Sequence, residues 1–147
     1  KLLLIFGLII SSNSWAEKIT EQEVIAKVNQ FFELIDIEVY KKEKVLTILT
    51  NDFQIFEMGK SWDMNEFDKF LQEASKTTIK TDWVLTDFVV SIDENSAHVS
   101  YVNDGIFKTI DNELVISNWL ESVYLIQEKG ELKLKSLQSD LVSRETK

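Results

Sequence analysis

Four long runs of alternating apolar and polar residues fill the second half of this 147-residue chain, and they constrain the fold more than any other feature. They span residues 82–93, 97–110, 114–127 and 131–142, and the breaks between them are Glu94-Asn95, Asp111-Asn112 and Lys129-Gly130. A period of two marks a strand with one buried face, and Asn, Asp and Gly at the breaks suit tight turns. Consecutive strands joined by such short turns pair antiparallel, so this half of the chain reads as a meander.

The first half has helical spacing instead. Thr20-Glu21-Gln22-Glu23 is a capping box, in which the Thr hydroxyl accepts from the Glu23 amide while the Glu23 carboxylate reaches back. Val24, Val28, Phe31, Phe32 and Ile35 then form one apolar stripe down a long helix. A shorter helix carries Val45, Leu46, Ile48 and Leu49, followed by a short strand at residues 53–57 and a turn at Gly59-Lys60-Ser61. Asp63, with Glu66 at the box position, caps a third helix striped by Met64, Phe67, Phe70, Leu71 and Ala74. Helices first and strands after predict an α+β fold: a cone-shaped antiparallel sheet of four long strands plus a short one, curled around three N-terminal helices.

Hairpin parity predicts which strand face looks into the cone, because a one-residue slip exchanges the faces. A two-residue loop at Glu94-Asn95 pairs Ile92 with Ala97, Val90 with Val99, Phe88 with Tyr101 and Thr86 with Asn103, an almost wholly apolar face. A tight turn at Lys129-Gly130 pairs Leu125 with Leu134, Val123 with Ser136 and Glu121 with Gln138, with Trp119 on the same side. Leu120, Tyr124 and Leu137 then face outward. A tight turn at Asp111-Asn112 would set Tyr101 against Ser122, on the wrong side, so one extra residue is needed. Either an odd-length loop or a bulge supplies it, and Gly105 is the candidate bulge. A regular ladder from Ala97 to Leu125 would count against this inner face.

The ends and the composition bound the biology. Lys1, the apolar run from Leu2 to Ile10, and small residues at Ser14 and Ala16 fit a signal peptide cleaved after residue 16. The expectation is an exported protein, periplasmic or secreted, with residues 17–147 as one domain and no membrane-spanning segment after cleavage. The apolar run is shorter than the about 20 residues a bilayer requires. There is no Pro, no repeat and no linker-like stretch. Absence of Cys removes disulfides, thiolate metal sites and Cys nucleophiles, and a single His removes a His-rich metal site. A net charge of −9 repels phosphate backbones, so nucleic acid is not an expected partner.

The order of long helix, short helix, strand, capped helix and four-strand meander resembles the nuclear-transport-factor-2-like superfamily, in particular its polyketide-cyclase-like bacterial branch. Trp119-Leu120-Glu121-Ser122-Val123, then Lys129-Gly130-Glu131-Leu132-Lys133-Leu134-Lys135 and Leu137-Gln138-Ser139, resemble the closing hairpin of exported members without assigned activity. The resemblance implies a pocket inside the cone and no cofactor, but it does not choose a reaction, because the fold hosts enzymes and non-catalytic modules alike. It also implies dimers through the outer sheet face, here the face of Leu120, Tyr124 and Leu137.

Several chemistries of that superfamily fit these residues poorly. Dehydration resembles an Asp-His arrangement, yet His98 falls on the polar face. Epoxide opening resembles an Asp-Arg-Asp cluster, yet the one Arg, Arg144, falls in the C-terminal tail. Isomerase-like proton transfer needs a carboxylate in an apolar pocket and an oxyanion partner, roles open to Glu121 and Tyr101. The competing reading is a structural Glu121 hydrogen-bonded to Gln138 or Ser136. Trp62, Trp83 and Trp119 read first as core at these spacings, and only Trp119 has a parity argument for lining the cavity. The favoured expectation is a non-catalytic module that binds a small, mostly apolar ligand or a partner, with Tyr101, Asn103, Trp119, Glu121, Ser136 and Gln138 at the site. The alternative is a cofactor-free isomerase or lyase using Glu121. A structural homodimer is compatible with both.

Overall fold

The computed structural model describes residues 18–147; the expected signal peptide, residues 1–16, lies outside them. Helices α1 (Glu21–Ile35) and α2 (Lys42–Leu46) come first, then strands β1 (Leu49–Glu57) and β2 (Lys60–Asp63), then helix α3 (Met64–Ala74). The meander follows as β3 (Thr78–Ile92), β4 (Ser96–Thr109), β5 (Leu114–Glu128) and β6 (Glu131–Thr146). Both expected capping boxes form, at Thr20 with Glu23 and at Asp63 with Glu66. Val24, Val28, Phe31, Phe32 and Ile35 of α1 are all buried, as their spacing requires. On α3 the buried residues are Met64, Phe67 and Leu71, while Phe70 is largely exposed.

The sheet is curled and has six strands in the order β2-β1-β6-β5-β4-β3. It is mixed rather than purely antiparallel, and it holds two short strands rather than one. β1 runs parallel to β6, and residues 60–63, of which Lys60 and Ser61 are expected in a turn with Gly59, pair back on β1 as β2. Parallel pairing is possible because the whole meander intervenes between β1 and β6, giving the chain room to cross over. The turn into β2 is the two-residue Met58-Gly59 loop, with φ of 50° and 72°; Lys129-Gly130 is the equivalent loop, with 52° and 84°. Positive φ at both central residues gives the twist that such hairpins need.

Irregularities of loop length and register shape the inner face. Between β4 and β5 the ladder is unbroken from Ser96 opposite Ile126 to Lys108 opposite Leu114, and Tyr101 faces Glu121. Parity is kept by the odd, five-residue connection 109–113, so an unbroken ladder does not exchange the faces as expected. Gly105 is not a bulge. A Cβ there would lie 2.9 Å from Trp119 Cζ3 and 3.0 Å from the Phe107 ring, so Gly105 provides space for these rings.

The bulges lie elsewhere. In β3 the register shifts between Thr86 and Val89, around Asp87 at φ 56°. Leu85, not Thr86, therefore faces Asn103, while Asp87 and Phe88 together stand opposite Tyr101, with the Phe88 and Tyr101 rings 5.5 Å apart. In β6 the extra residue is Lys135, whose ammonium pairs with Asp52. Beyond it Leu137 faces Val123 and Ser139 faces Glu121. Leu137 is thus buried, Ser136 is half-buried on the outer side and Gln138 is exposed, correcting the expectation for all three. β6 also continues past residue 142, so that Arg144 is a strand residue opposite Ser117 and not part of a tail.

Candidate active site in the cone

A cavity of about 230 Å³ lies between α1, α3 and the concave side of the sheet. Phe31, Phe32 and Ile35 of α1, with Phe67, Phe70 and Leu71 of α3, cover it from the helical side. The sheet contributes Trp83, Asn103, Phe107, Trp119, Glu121 and Ser139, joined by Glu57 of β1 and Arg144 of β6. Trp83, Phe107 and Trp119 pack edge to face or tilted, with centroids 5.2 to 6.2 Å apart. The Ile37 amide, just after α1, donates to Thr81 Oγ1 at 3.2 Å and ties this loop to β3.

Glu121 is the polar centre. It is 7% exposed, and each carboxylate oxygen accepts one hydrogen bond: Oε1 from Ser139 Oγ at 2.7 Å and Oε2 from Asn103 Nδ2 at 3.1 Å. Burial pushes its pKa up to about 7, against the opposing pull of Ser139, Tyr101 and Asn103, while the charge of Glu57 pushes it further up. Glu121 therefore has structural partners and a place on the cavity wall together. The partners are Ser139 and Asn103, not Ser136 and Gln138.

Other expected site residues separate into two groups. Asn103, Trp119 and Trp83 line the cavity. Tyr101 does not; its ring lies between Phe32 and Phe88, and its hydroxyl is buried behind Glu121. Burial and then the Glu121 charge raise the Tyr101 phenol well above its ordinary range. Its position suits tuning of Glu121 rather than contact with a bound molecule. Trp62 is remote, against Phe67 and Phe70. His98 is exposed on the outer face opposite Tyr124.

Besides Ser139, two charged cavity residues, Glu57 and Arg144, fall outside the expected site. Glu57 follows Phe53 and Ile55, both buried, in the alternation of β1, and that period is the signal that reveals it. Burial raises its carboxyl, while the Trp119 indole and the Arg144 guanidinium pull it back down. Arg144 lies over Trp119, its Cζ 5.9 Å from the ring centroid, and donates from Nε to Ser117 Oγ at 2.9 Å. No sequence signal places Arg144, because its orientation depends on the register shifts of β6. Trp83 Nε1 and Asn103 Oδ1 are buried without hydrogen-bond partners. Among the described residues, no group of three or more His, Asp or Glu side chains is arranged to hold a metal ion, and no helix is long and apolar enough to cross a membrane.

A curled sheet with helices across its mouth, an aromatic cavity and a buried carboxylate define an α+β cone with a small-molecule-sized pocket. Its fold is that of the nuclear-transport-factor-2-like superfamily. A candidate aromatic ring hydroxylase from Novosphingobium aromaticivorans superposes with a TM-score of 0.75 at 14% identity, covering 86% of this chain and 92% of that one. A hexachlorocyclohexane dehydrochlorinase from Novosphingobium barchaimii gives 0.68 at 8% identity, covering 87% and 94%. The association domain of C. elegans CaMKII gives 0.66 at 17% identity, covering 82% and 94%. These likenesses establish the fold, which enzymes and association domains share. No family model matches the sequence, and neither does any curated protein.

Proposed function

We propose that this protein is an exported module that binds a small, mostly apolar molecule in the cone, with Glu121 as its polar anchor. The observation that carries the reading is the position of Glu121: a buried carboxylate on the wall of an otherwise aromatic cavity, held by Ser139 and Asn103. Apolar surface on Phe32, Trp83, Phe107 and Trp119 supplies affinity, and the few polar groups supply orientation. Mass spectrometry of small molecules that co-purify with the wild type and with Glu121→Gln tests it. We expect a ligand retained by the wild type and depleted in the variant; equal retention refutes Glu121 as the anchor.

A second reading is catalytic. A carboxyl with a pKa of about 7 is half ionised at neutral pH, which suits a general base. In a cofactor-free isomerase or lyase Glu121 would take the proton, and the oxyanion donor would come from the cavity wall instead of Tyr101. Turnover by the wild type with a co-purified ligand, abolished in Glu121→Gln, distinguishes catalysis from binding.

Export rests on the leader-like first sixteen residues, and an intact mass beginning after Ala16 in the exported fraction is the expected result. The outer face exposes Leu120 and Tyr124 and is the proposed homodimer surface, although Leu137 belongs to the core. Light scattering checks this; a monomer at high concentration excludes the dimer.

A further inference from the structure

We infer that Glu57 is a second acid–base residue of the cavity, coupled to Glu121 across Ser139, and that the paired site takes neutral ring compounds carrying a hydroxyl or carbonyl oxygen. The choice of ligand class rests on the binding reading above; the coupling does not. β1 pairs with β6 and β6 with β5 so that Glu57, Ser139 and Glu121 stand in one row on adjacent strands. Strand spacing sets the outer two backbones about 10 Å apart, and both carboxylates line one cavity. Across such a gap, ionisation of one opposes ionisation of the other.

The remaining charges around the pair are few. α1 and α3 present only apolar side chains to this cavity, and among the described residues Arg144 is the one cation on its wall. Tyr101 lies behind Glu121 as a neutral phenol. One guanidinium balances one carboxylate, and near neutrality the other carboxyl retains much of its proton. A ligand carboxylate would therefore add uncompensated negative charge to an aromatic enclosure. An ammonium group would bring only donors, whereas the indole N–H of Trp83 requires an acceptor. Arg144 commits its Nε–H to Ser117 and offers its terminal nitrogens as further donors. A hydroxyl or carbonyl oxygen meets these donors, and a hydroxyl can also donate to the unpartnered Asn103 Oδ1.

The test combines carboxyl-carbon NMR titration of the wild type, Glu57→Gln and Glu121→Gln with binding of naphthol, naphthoate and naphthylmethylamine at neutral pH. In Glu57→Gln the Glu121 midpoint is expected to fall by about one pH unit. Glu57→Ala should give the same shift and serves if the Gln variant does not fold. Naphthol is expected to bind at least about tenfold more tightly than either charged analogue. An unchanged Glu121 midpoint in a folded Glu57 variant overturns the coupling. Equal or tighter binding of naphthoate or the amine overturns the ligand class. Binding of none of the three, with the coupling intact, overturns the binding reading and leaves the paired carboxyls standing.

Discussion

The Glu121→Gln variant probes the electrostatics of the cavity through stability alone, without a ligand. A glutamate in the unfolded chain releases its proton near pH 4.5, whereas Glu121 in the folded protein releases it at about 7. Between those values the native state binds more protons than the unfolded state, so stability falls as pH rises. The difference of 7 minus 4.5 is about 2.5 pH units, and at about 1.36 kcal/mol per unit the loss is about 3 kcal/mol. It is absent well below pH 4.5 and complete above about pH 8. Gln carries no titrating proton, and its amide can accept from Ser139 while donating to Asn103 Oδ1, which lacks a partner. The variant should therefore fold. Carboxyls with the opposite behaviour, such as Asp63, lowered by the Glu66 and Asn65 amides, contribute equally to both proteins and cancel. Urea unfolding of each protein at intervals from pH 4 to pH 8 gives two curves. Their difference should change by about 3 kcal/mol in favour of Gln over that range. Parallel curves would refute a Glu121 that retains its proton to near neutrality.

Three further outcomes check the framework around the cavity. Gly105→Ala places a methyl against Trp119 and Phe107 and should destabilise by about 1–3 kcal/mol, with a shift in Trp fluorescence. Unchanged stability would mean that those rings are free to move aside. Asp63→Ala removes the acceptor for the Asn65 and Glu66 amides and should lower stability, read as a drop in melting temperature. Leu137→Ala should destabilise by about 2–5 kcal/mol and Gln138→Ala by less than about 0.5 kcal/mol in urea titrations. The reverse order would place the β6 bulge wrongly.

What could be read from residues alone follows from where strand parity holds and where it breaks. Along β5 the buried residues Ser117, Trp119, Glu121, Val123 and Leu125 keep one parity, and the first hairpin fixes Ala97 and Val99 on the same face; that much was legible. On β6 the buried positions move from Leu134 to Leu137 and Ser139, a change of parity written into the sequence as two residues between two leucines. β3 does the same, with Trp83 and Leu85 followed by Phe88 and Val90 packing on the core. A turn-based register counts residues from the hairpin and carries an uncounted bulge residue to the end of the strand. For that reason Ser136 and Gln138 were expected inside and Leu137 outside. The apolar pattern does not assume an unbroken ladder, since burial is enforced residue by residue. Had each strand been read in two segments, one on either side of its parity change, Ser139 would have replaced Gln138 beside Glu121. Glu57 was equally available, because it continues the Phe53 and Ile55 alternation of β1. Arg144 was not. Its inward turn depends on a further register shift between Asn118 and Trp119 of β5 and their β6 partners, where the sequence offers no buried apolar residue to mark the change. The guanidinium that balances the cavity thus depends on backbone irregularity, and the two carboxylates depend on simple alternation.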